Sequence, residues 1–242
     1  SLLDILQKRI DSDKFTVIFT PNPEQVVQSQ KNKQFLVLLQ KADILIPDGI
    51  GLVWASRLLS MDKKTKKIET RIAGRELVED LLDIAKNEKL KVLVVGGRGY
   101  KKLEIKNPKY QNIYFLESYK NFDKASKEEE DLVIKTIRDV RPDVIFVALG
   151  APKQEYWVDS HRTLLEKTGV RIAMVVGGSF DYLVGSVPKT PKLLSNLGLE
   201  WLFRLVIQPW RWKRQLRLIE YLKLVFIEVF KKKTRKSART RV

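Results

Sequence analysis

The sequence predicts an α/β fold in which helices cover both faces of an open, mostly parallel sheet, with a helical, basic segment after it. Six short runs rich in Val and Ile are apolar at successive positions, which is typical of parallel strands buried on both faces. Longer stretches with helical periodicity alternate with these runs. Near Pro188 and Pro191 the pattern changes to aromatic, basic and helical sequence.

The alternation runs through the first 190 residues. Strands are predicted at 15–20, 43–47, 91–96, 112–116, 143–149 and 171–176, and helices at 23–40, 51–59, 74–86, 127–138 and 153–167. Ser126 and Glu129 form a capping box before the fourth helix, and Pro152 suits the first turn of the fifth. This order predicts a Rossmann-like core at 1–190 and a helical, basic appendage at 191–242.

The composition excludes several classes of site. The chain has 242 residues, 44% of them hydrophobic, with no Cys and one His. Disulfides, thiolate zinc sites, Cys nucleophiles and multi-His metal sites are therefore excluded. A Ser-His-Asp triad would need His161, which we expect to be an exposed surface residue. We expect no cofactor and no metal.

The N-terminal residues and the lengths of the apolar runs indicate where in the cell the protein is expected. No apolar run reaches the roughly 18–20 residues that span a bilayer, and acidic Asp4 argues against a secretory signal. We therefore expect a cytoplasmic protein. The first residue is Ser and not Met, so we also expect that the natural chain begins upstream.

The charge is concentrated near the C-terminus. The chain carries a formal charge of +17, and residues 200–242 hold 13 basic against three acidic residues. This predicts a polyanionic partner, either nucleic acid or an anionic membrane surface, with a merely solubilising tail as the alternative. An apolar stripe beside the basic residues favours a helix in a membrane interface over an RNA-binding arm; its members are Ile219, Leu222, Phe226 and Val229.

Aromatic residues and arginines are mixed in the same segment. On a continuous helix, Arg204, Arg211 and Arg214 would lie on one side, and Pro209 is expected to kink that helix. The aromatic residues fit a membrane interface, with core packing as the alternative. They are Trp201, Phe203, Trp210, Trp212 and Tyr221.

The candidate ligand site lies at the carboxyl ends of the strands, where open α/β sheets bind ligands. Glycine there lets backbone approach a ligand, and helix N-termini offer N–H groups to a diphosphate; the alternative is that Gly and Pro merely turn the chain. No dinucleotide or Walker fingerprint is present. Five predicted strands end in such residues, namely Thr20-Pro21-Asn22, Pro47-Asp48-Gly49, Gly96-Gly97, Gly150 and Gly177-Gly178-Ser179.

Four polar residues near these ends, and Arg71 in the loop before Gly74, each have two interpretations. Asp48 is placed to act as a general base on a hydroxyl, or else forms an Asx turn or a helix N-cap. Thr20 and Asn22 either hydrogen-bond a polyol or stabilise turns. Gln154 binds a sugar hydroxyl or is a solvated helix residue. Arg71 holds a phosphate or is a surface arginine.

Several segments, in order, resemble the WecG/TagA/CpsF family of bacterial glycosyltransferases (glycosyltransferase family 26). The resemblance covers roughly residues 12–217. It rests on Thr20-Pro-Asn22, Pro47-Asp-Gly49, Arg71-x-x-Gly74, the segment from Phe146 through Gly150 and Gln154 to Glu155, Val176-Gly-Gly-Ser-Phe-Asp181, and Leu197-Gly-Leu-Glu-Trp201 through Pro209-Trp-Arg-Trp-Lys-Arg214.

The resemblance implies an activity. Family members transfer a sugar, often N-acetylmannosamine, from a UDP-sugar to undecaprenyl-diphosphate-linked N-acetylglucosamine, with inversion and without a metal, at the cytoplasmic membrane face. The implied pathways are teichoic acid and exopolysaccharide synthesis. The family usually has a further N-terminal segment, which implies a trimmed chain, and the tail from Lys231 departs from the family pattern.

The resemblance also implies roles for particular residues. Asp48 matches the proposed catalytic base and Thr20 an active-site threonine, while Gln154 matches a glutamine beside the nucleotide-sugar. Arginines matching Arg204, Arg211 and Arg214 are thought to close over the substrate diphosphate. Two other classes stay open: another UDP-sugar enzyme such as an epimerase, and a basic RNA-binding protein. The sequence does not determine whether the chain forms a homo-oligomer.

Overall fold

The computed structural model describes residues 2–60, 67–69, 72–97, 99–100, 112–183 and 185–239. The strands are β1 (Thr16–Phe19), β2 (Ile44–Leu45), β3 (Val92–Gly96), β4 (Ile113–Leu116), β5 (Val144–Ala148) and β6 (Ile172–Val175). The helices are α1 (Leu2–Asp11), α2 (Pro23–Lys31), α3 (Lys33–Gln40), α4 (Ile50–Leu59), α5 (Gly74–Asn87), α6 (Lys127–Val140), α7 (Lys153–Lys167), α8 (Phe180–Leu183), α9 (Lys192–Asn196), α10 (Glu200–Ile207) and α11 (Trp212–Arg239).

The described strands form one parallel sheet in the order β2-β1-β6-β5-β3-β4. In the register of the central strands, Val147 pairs with Val175 of β6 and with Val95 of β3. Every residue of β1, β3 and β6 is buried, so both faces of these strands are covered. This explains why their sequences read as continuous apolar runs. The predicted fold class is confirmed.

One helix prediction was wrong, and the first helix was missed. The stretch 23–40 forms two helices, because Asn32 adopts an extended backbone (φ −126°) and ends α2. The Asn32 Oδ1 then accepts from the backbone N–H of Phe35, as a helix-capping side chain does. Helix α1 was not predicted, although Leu6 and Ile10, one turn apart, are both buried.

The chain divides into two compact units, each built from separate stretches. The first contains Ser1–Thr20, Val37–Ile46 and Gly74–Pro188, and therefore all of the described sheet. The second contains Pro21–Leu36, Pro47–Ala73 and Lys189–Val242. The predicted domain division after residue 190 stays a prediction.

Helix α11 forms part of the core of the second unit. Tyr221 and Val225 pack with Val27 of α2 and Ala55 of α4 in one buried cluster. The Tyr221 hydroxyl donates to the backbone oxygen of Gly51 over 3.1 Å, and burial raises the pKa of Tyr221 to about 12, so the phenol stays protonated as a donor. A truncation that removes α11 would uncover this cluster, so point substitutions are the better test of this segment.

The outer face of α11 is apolar and exposed. Ile219, Leu222 and Phe226 recur at helical spacing, and each is more than half exposed. Val229, predicted in the same stripe, packs instead against the buried cluster, while Phe230 is exposed. In the described part of the chain, no helix combines the length and the apolar character needed to cross a bilayer.

Candidate functional site

The carboxyl edge of the sheet carries the candidate site of the first unit. Thr20 follows β1, and its Oγ1 donates to the backbone oxygen of Val175, the last residue of β6, over 3.3 Å. Because the single hydroxyl hydrogen is used, Oγ1 meets any further partner as an acceptor. This arrangement suits a ligand hydroxyl at Thr20, whose catalytic role stays a prediction.

Gln154 joins the loops after two neighbouring strands. It lies in the first turn of α7, after β5, and its Oε1 accepts from the backbone N–H of Gly177, after β6, over 3.0 Å. Its Nε2 donates to Oε1 of Glu155 over 3.0 Å. With only 4% of its surface exposed, Gln154 is not a solvated helix residue, so that alternative was wrong.

The two glycines predicted to bind substrate differ in their surroundings. At Gly150 (φ +77°) an added Cβ would meet no atom within 4 Å, so this backbone faces open space. At Gly97 (φ +77°) the Cβ would lie 2.1 Å from ring atoms of Tyr100. Gly97 therefore lets an aromatic ring pack on the loop. Its substrate-binding role stays a prediction, as does that of Gly150.

Tyr100 connects the segments that follow β3 and β6 at this edge of the sheet. Its hydroxyl donates to Oδ1 of Asp181 over 2.7 Å, and the ring lies against Phe115 and Phe180. The loops after β3 and β6 are thus tied to each other within the first unit. No local pattern predicts this pair, because its partners are 81 residues apart in the chain.

In the second unit, two candidate loops are held together. The backbone N–H of Asp48 donates to the oxygen of Pro21 over 2.9 Å. Gly49 occupies the N-cap position of α4 with φ +109°, and a Cβ there would lie 3.3 Å from Pro23. Since Gly49 is the N-cap, the N-cap alternative for Asp48 was wrong. Asp48 is partly exposed.

Asn22 has a structural role at the other loop. Its Oδ1 accepts from the backbone N–H of Gln25, and Gln25 Oε1 accepts from the backbone N–H of Asn22, so the two residues form a capping box for α2. The Asn22 side chain therefore has a structural role as a helix cap. Of the Asn22 side chain, the amide Nδ2 is the group outside this box, and a role in substrate binding stays a prediction.

The comparisons with known proteins agree with one another. The family model described as "Glycosyl transferase WecG/TagA/CpsF family" matches residues 1–237. Relatives named N-acetylglucosaminyldiphosphoundecaprenol N-acetyl-beta-D-mannosaminyltransferase include one from Bacillus subtilis (strain 168), 34% identical over 97% of this chain and 88% of the relative. Another from Bacillus spizizenii (strain ATCC 23059 / NRRL B-14472 / W23) is 33% identical over 89% of this chain and 80% of the relative.

A third relative of the same name, from Staphylococcus aureus (strain NCTC 8325 / PS 47), is 33% identical over 83% of this chain and 74% of its own length. The chain belongs to the WecG/TagA/CpsF family of glycosyltransferases. The resemblance found in its motifs is thereby confirmed, and the chain is a glycosyltransferase.

The arginines implied by the WecG/TagA/CpsF pattern do not share one continuous helix. Helix α10 ends at Ile207, and the 3-10 turn Pro209–Arg211 precedes α11, so the break expected at Pro209 is confirmed. Arg204 is in α10 and partly buried, Arg211 ends the 3-10 turn, and Arg214 is in the first turn of α11. The Arg211 Nη1 donates to Oε1 of Gln208 over 3.0 Å. Arg71 lies outside the described residues.

The single histidine is not the exposed residue that we predicted. His161 is 8% exposed, because its ring stacks on Trp157 at 4.3 Å between centroids. Its Nε2 lies 2.6 Å from Oε1 of Glu130, which also accepts, through Oε2, from the hydroxyl of Tyr119. This network joins α6 to α7 and is structural. Among the described residues, no three His, Cys, Asp or Glu side chains form a group able to hold a metal ion.

Proposed function

We propose that this glycosyltransferase moves N-acetylmannosamine from a UDP-sugar to a hydroxyl of undecaprenyl-diphosphate-linked N-acetylglucosamine. Family membership over residues 1–237 carries this proposal. Three relatives from two genera, each matching more than four fifths of this chain, have names that state this sugar and this acceptor. The disaccharide product would then serve the synthesis of teichoic acid or another cell-surface polysaccharide.

The proposed reaction is a single displacement with inversion. Asp48 accepts the proton of the acceptor hydroxyl while that oxygen forms a bond to the anomeric carbon of the donor. The bond from this carbon to the diphosphate breaks, and UDP leaves with the electron pair. The partial exposure of Asp48 supports the assignment, because a general base must reach the proton that it removes.

Charge on the departing diphosphate needs stabilisation. We assign this to Arg204, Arg211 and Arg214, since guanidinium groups form charge-assisted, often bidentate bonds to phosphate oxygens. Donor binding is assigned to groups of the first unit: Thr20 Oγ1 as an acceptor, the open backbone at Gly150, and the Gln154 amide. In this proposal the protein's own cations take the part that a metal ion plays in other transferases, so we expect activity in the presence of a chelator.

A donor panel tests the proposed function. The full chain is incubated with UDP-N-acetylmannosamine, UDP-N-acetylglucosamine or UDP-glucose, and with a short-chain lipid-diphosphate N-acetylglucosamine acceptor in a chelating buffer. We expect a new disaccharide product with UDP-N-acetylmannosamine and UDP release that depends on the acceptor. Release of free epimerised sugar without an acceptor would show an epimerase instead. No product with any donor would contradict the proposal.

We further propose that the outer face of α11 docks on an anionic membrane, where a lipid-linked acceptor would be found. The exposed residues Ile219, Leu222, Phe226 and Phe230 supply apolar area, and Arg217 and Lys223 are exposed on the same helix. Apolar side chains beside basic ones are typical of helices that lie in a membrane interface. Docking through this face would hold the chain at the inner face of the plasma membrane, which is the location that the family resemblance implies.

Vesicle flotation tests the docking proposal. We expect the chain to float with phosphatidylglycerol vesicles and not with phosphatidylcholine vesicles. Leu222→Ser with Phe226→Ser should weaken partitioning at least about tenfold, because burying one large apolar side chain is worth about 1.5–3 kcal/mol. Leu132→Ser, which changes an exposed leucine on α6, is the matched control and should float normally. Equal flotation of the double variant, or tight RNA binding in its place, would contradict docking through this face.

A further inference from the structure

Glu155 is a buried carboxyl group next to a proposed donor-binding residue. It lies in the first turn of α7 and has 0% of its surface exposed. Burying a carboxyl group is costly unless hydrogen bonds compensate for the lost water. Its Oε1 accepts from Nε2 of Gln154 over 3.0 Å. The Glu155 carboxyl group and the Gln154 amide thus lie side by side at the carboxyl edge of the sheet.

The two bonds of Gln154 determine which way its amide faces. The backbone N–H of Gly177 can only donate, so it requires the amide oxygen. Oε1 of Glu155 is the acceptor in its bond to Gln154, so this bond requires an amide N–H. If the amide turned over, its oxygen would face the Glu155 carboxyl oxygen and its NH₂ would face the N–H of Gly177. Glu155 therefore allows one of the two orientations and opposes the other.

The fixed orientation leaves a defined group for a ligand. The NH₂ of Gln154 has two hydrogens, and Glu155 takes one of them. The Gln154 oxygen is used at Gly177, so the amide offers a further partner a donor and not an acceptor. A sugar hydroxyl oxygen or an acetamido carbonyl fits this donor.

We propose that Glu155 is a positioning residue for donor binding, which acts by holding the Gln154 amide with one N–H directed to the sugar part of the nucleotide-sugar. This inference rests on the proposed function. Glu155 itself touches no substrate in this account. Its contribution passes through Gln154 and should disappear when Gln154 is absent.

Steady-state kinetics on the full chain test this role. Glu155→Met removes the acceptor at similar length. We expect the donor KM to rise about tenfold while the acceptor KM changes little, because the Gln154 amide loses the hydrogen bond that orients its NH₂ group. Glu155→Gln keeps an oxygen but can also present an NH₂, so the donor KM should rise by only about threefold. Glu166→Gln, an exposed glutamate on the same helix paired with Arg162, should match the wild type.

A double-mutant cycle separates positioning from a structural role. Gln154→Ala should itself raise the donor KM, and adding Glu155→Met should then change kcat/KM no further. Equal fold-changes in both backgrounds would show that Glu155 acts on the fold and not through Gln154, which would overturn the proposal. Thermal melting of each variant is measured in parallel.

The outcomes for the inference and for the proposed function differ. If Glu155→Met does not fold, the Glu155→Gln comparison decides, and an unchanged donor KM there overturns the inference. If wild-type transfer is present and Gln154→Ala raises the donor KM while neither Glu155 variant does, the inference alone fails. If the wild type transfers no sugar, the proposed function fails and the inference fails with it.

Discussion

Replacing Asp48 with Asn should lower kcat for sugar transfer by about 10²–10⁴-fold, the usual contribution of a positioned general base. Asn is close to Asp in size but accepts no proton at neutral pH. The donor KM should change little, because the proposed role of Asp48 concerns the acceptor proton. Disaccharide formation from UDP-N-acetylmannosamine and a short-chain acceptor is the measurement.

Asp131→Asn is the matched control for this experiment. Asp131 is an exposed aspartate on α6, so the same change of charge should leave transfer at the wild-type rate. The pH dependence of kcat is a second check. The wild-type kcat should fall at acid pH, because a protonated carboxyl group cannot act as a general base. A wild-type kcat in Asp48→Asn would remove the base assignment and with it the proposed mechanism.

Removing the guanidinium groups of Arg204 and Arg211 should lower kcat/KM by about 10–100-fold for each single Ala variant. Hydrogen bonds to charged groups are worth about 1.5–3 kcal/mol, and about 1.4 kcal/mol corresponds to a factor of ten. The double variant should lose about 10²–10⁴-fold if the two effects are independent. Arg211→Lys should fall between the wild type and Ala, because Lys keeps the charge but lacks the planar fork.

The acceptor in this experiment has a short lipid chain in free solution, so that any loss of membrane docking does not affect the rate. Arg217→Ala removes an exposed arginine of α11 that has no proposed catalytic role, and it should retain wild-type activity. Because Arg204 is partly buried, the melting temperature of each variant is compared as well. Wild-type kcat/KM in the folded double variant would contradict the assignment of these arginines to the diphosphate.

Residue patterns were sufficient for the local structure. All six predicted strands are present. Runs such as 92–95 are apolar at every position, which is typical of parallel strands that are covered on both faces. The capping box at Ser126 and Glu129 forms as predicted. The break at Asn32 has a local signal as well, because Asn before a helical run is a common N-cap.

Predictions failed where a distant partner decides the environment. His161 looked like a surface residue between polar neighbours, but Glu130 on another helix and Trp157 one turn earlier enclose it. A solvated helix residue was one of the two alternatives for Gln154, but contact with Gly177 at another strand end buries it. Glu130 lies 31 residues from His161, and Gly177 lies 23 residues from Gln154. No local pattern encodes partners at such distances along the chain.

The sequence by itself determined the order of strands and helices, the glycine-rich strand ends and the family, because these depend on residue type and on spacing along the chain. Only the tertiary structure decided the strand order β2-β1-β6-β5-β3-β4 and the packing of Tyr221 of α11 against α2 and α4. It also decided how the Gln154 amide is oriented between Gly177 and Glu155. The physical reason is that burial and hydrogen-bond direction are set by groups brought together in space, and these are far apart along the chain.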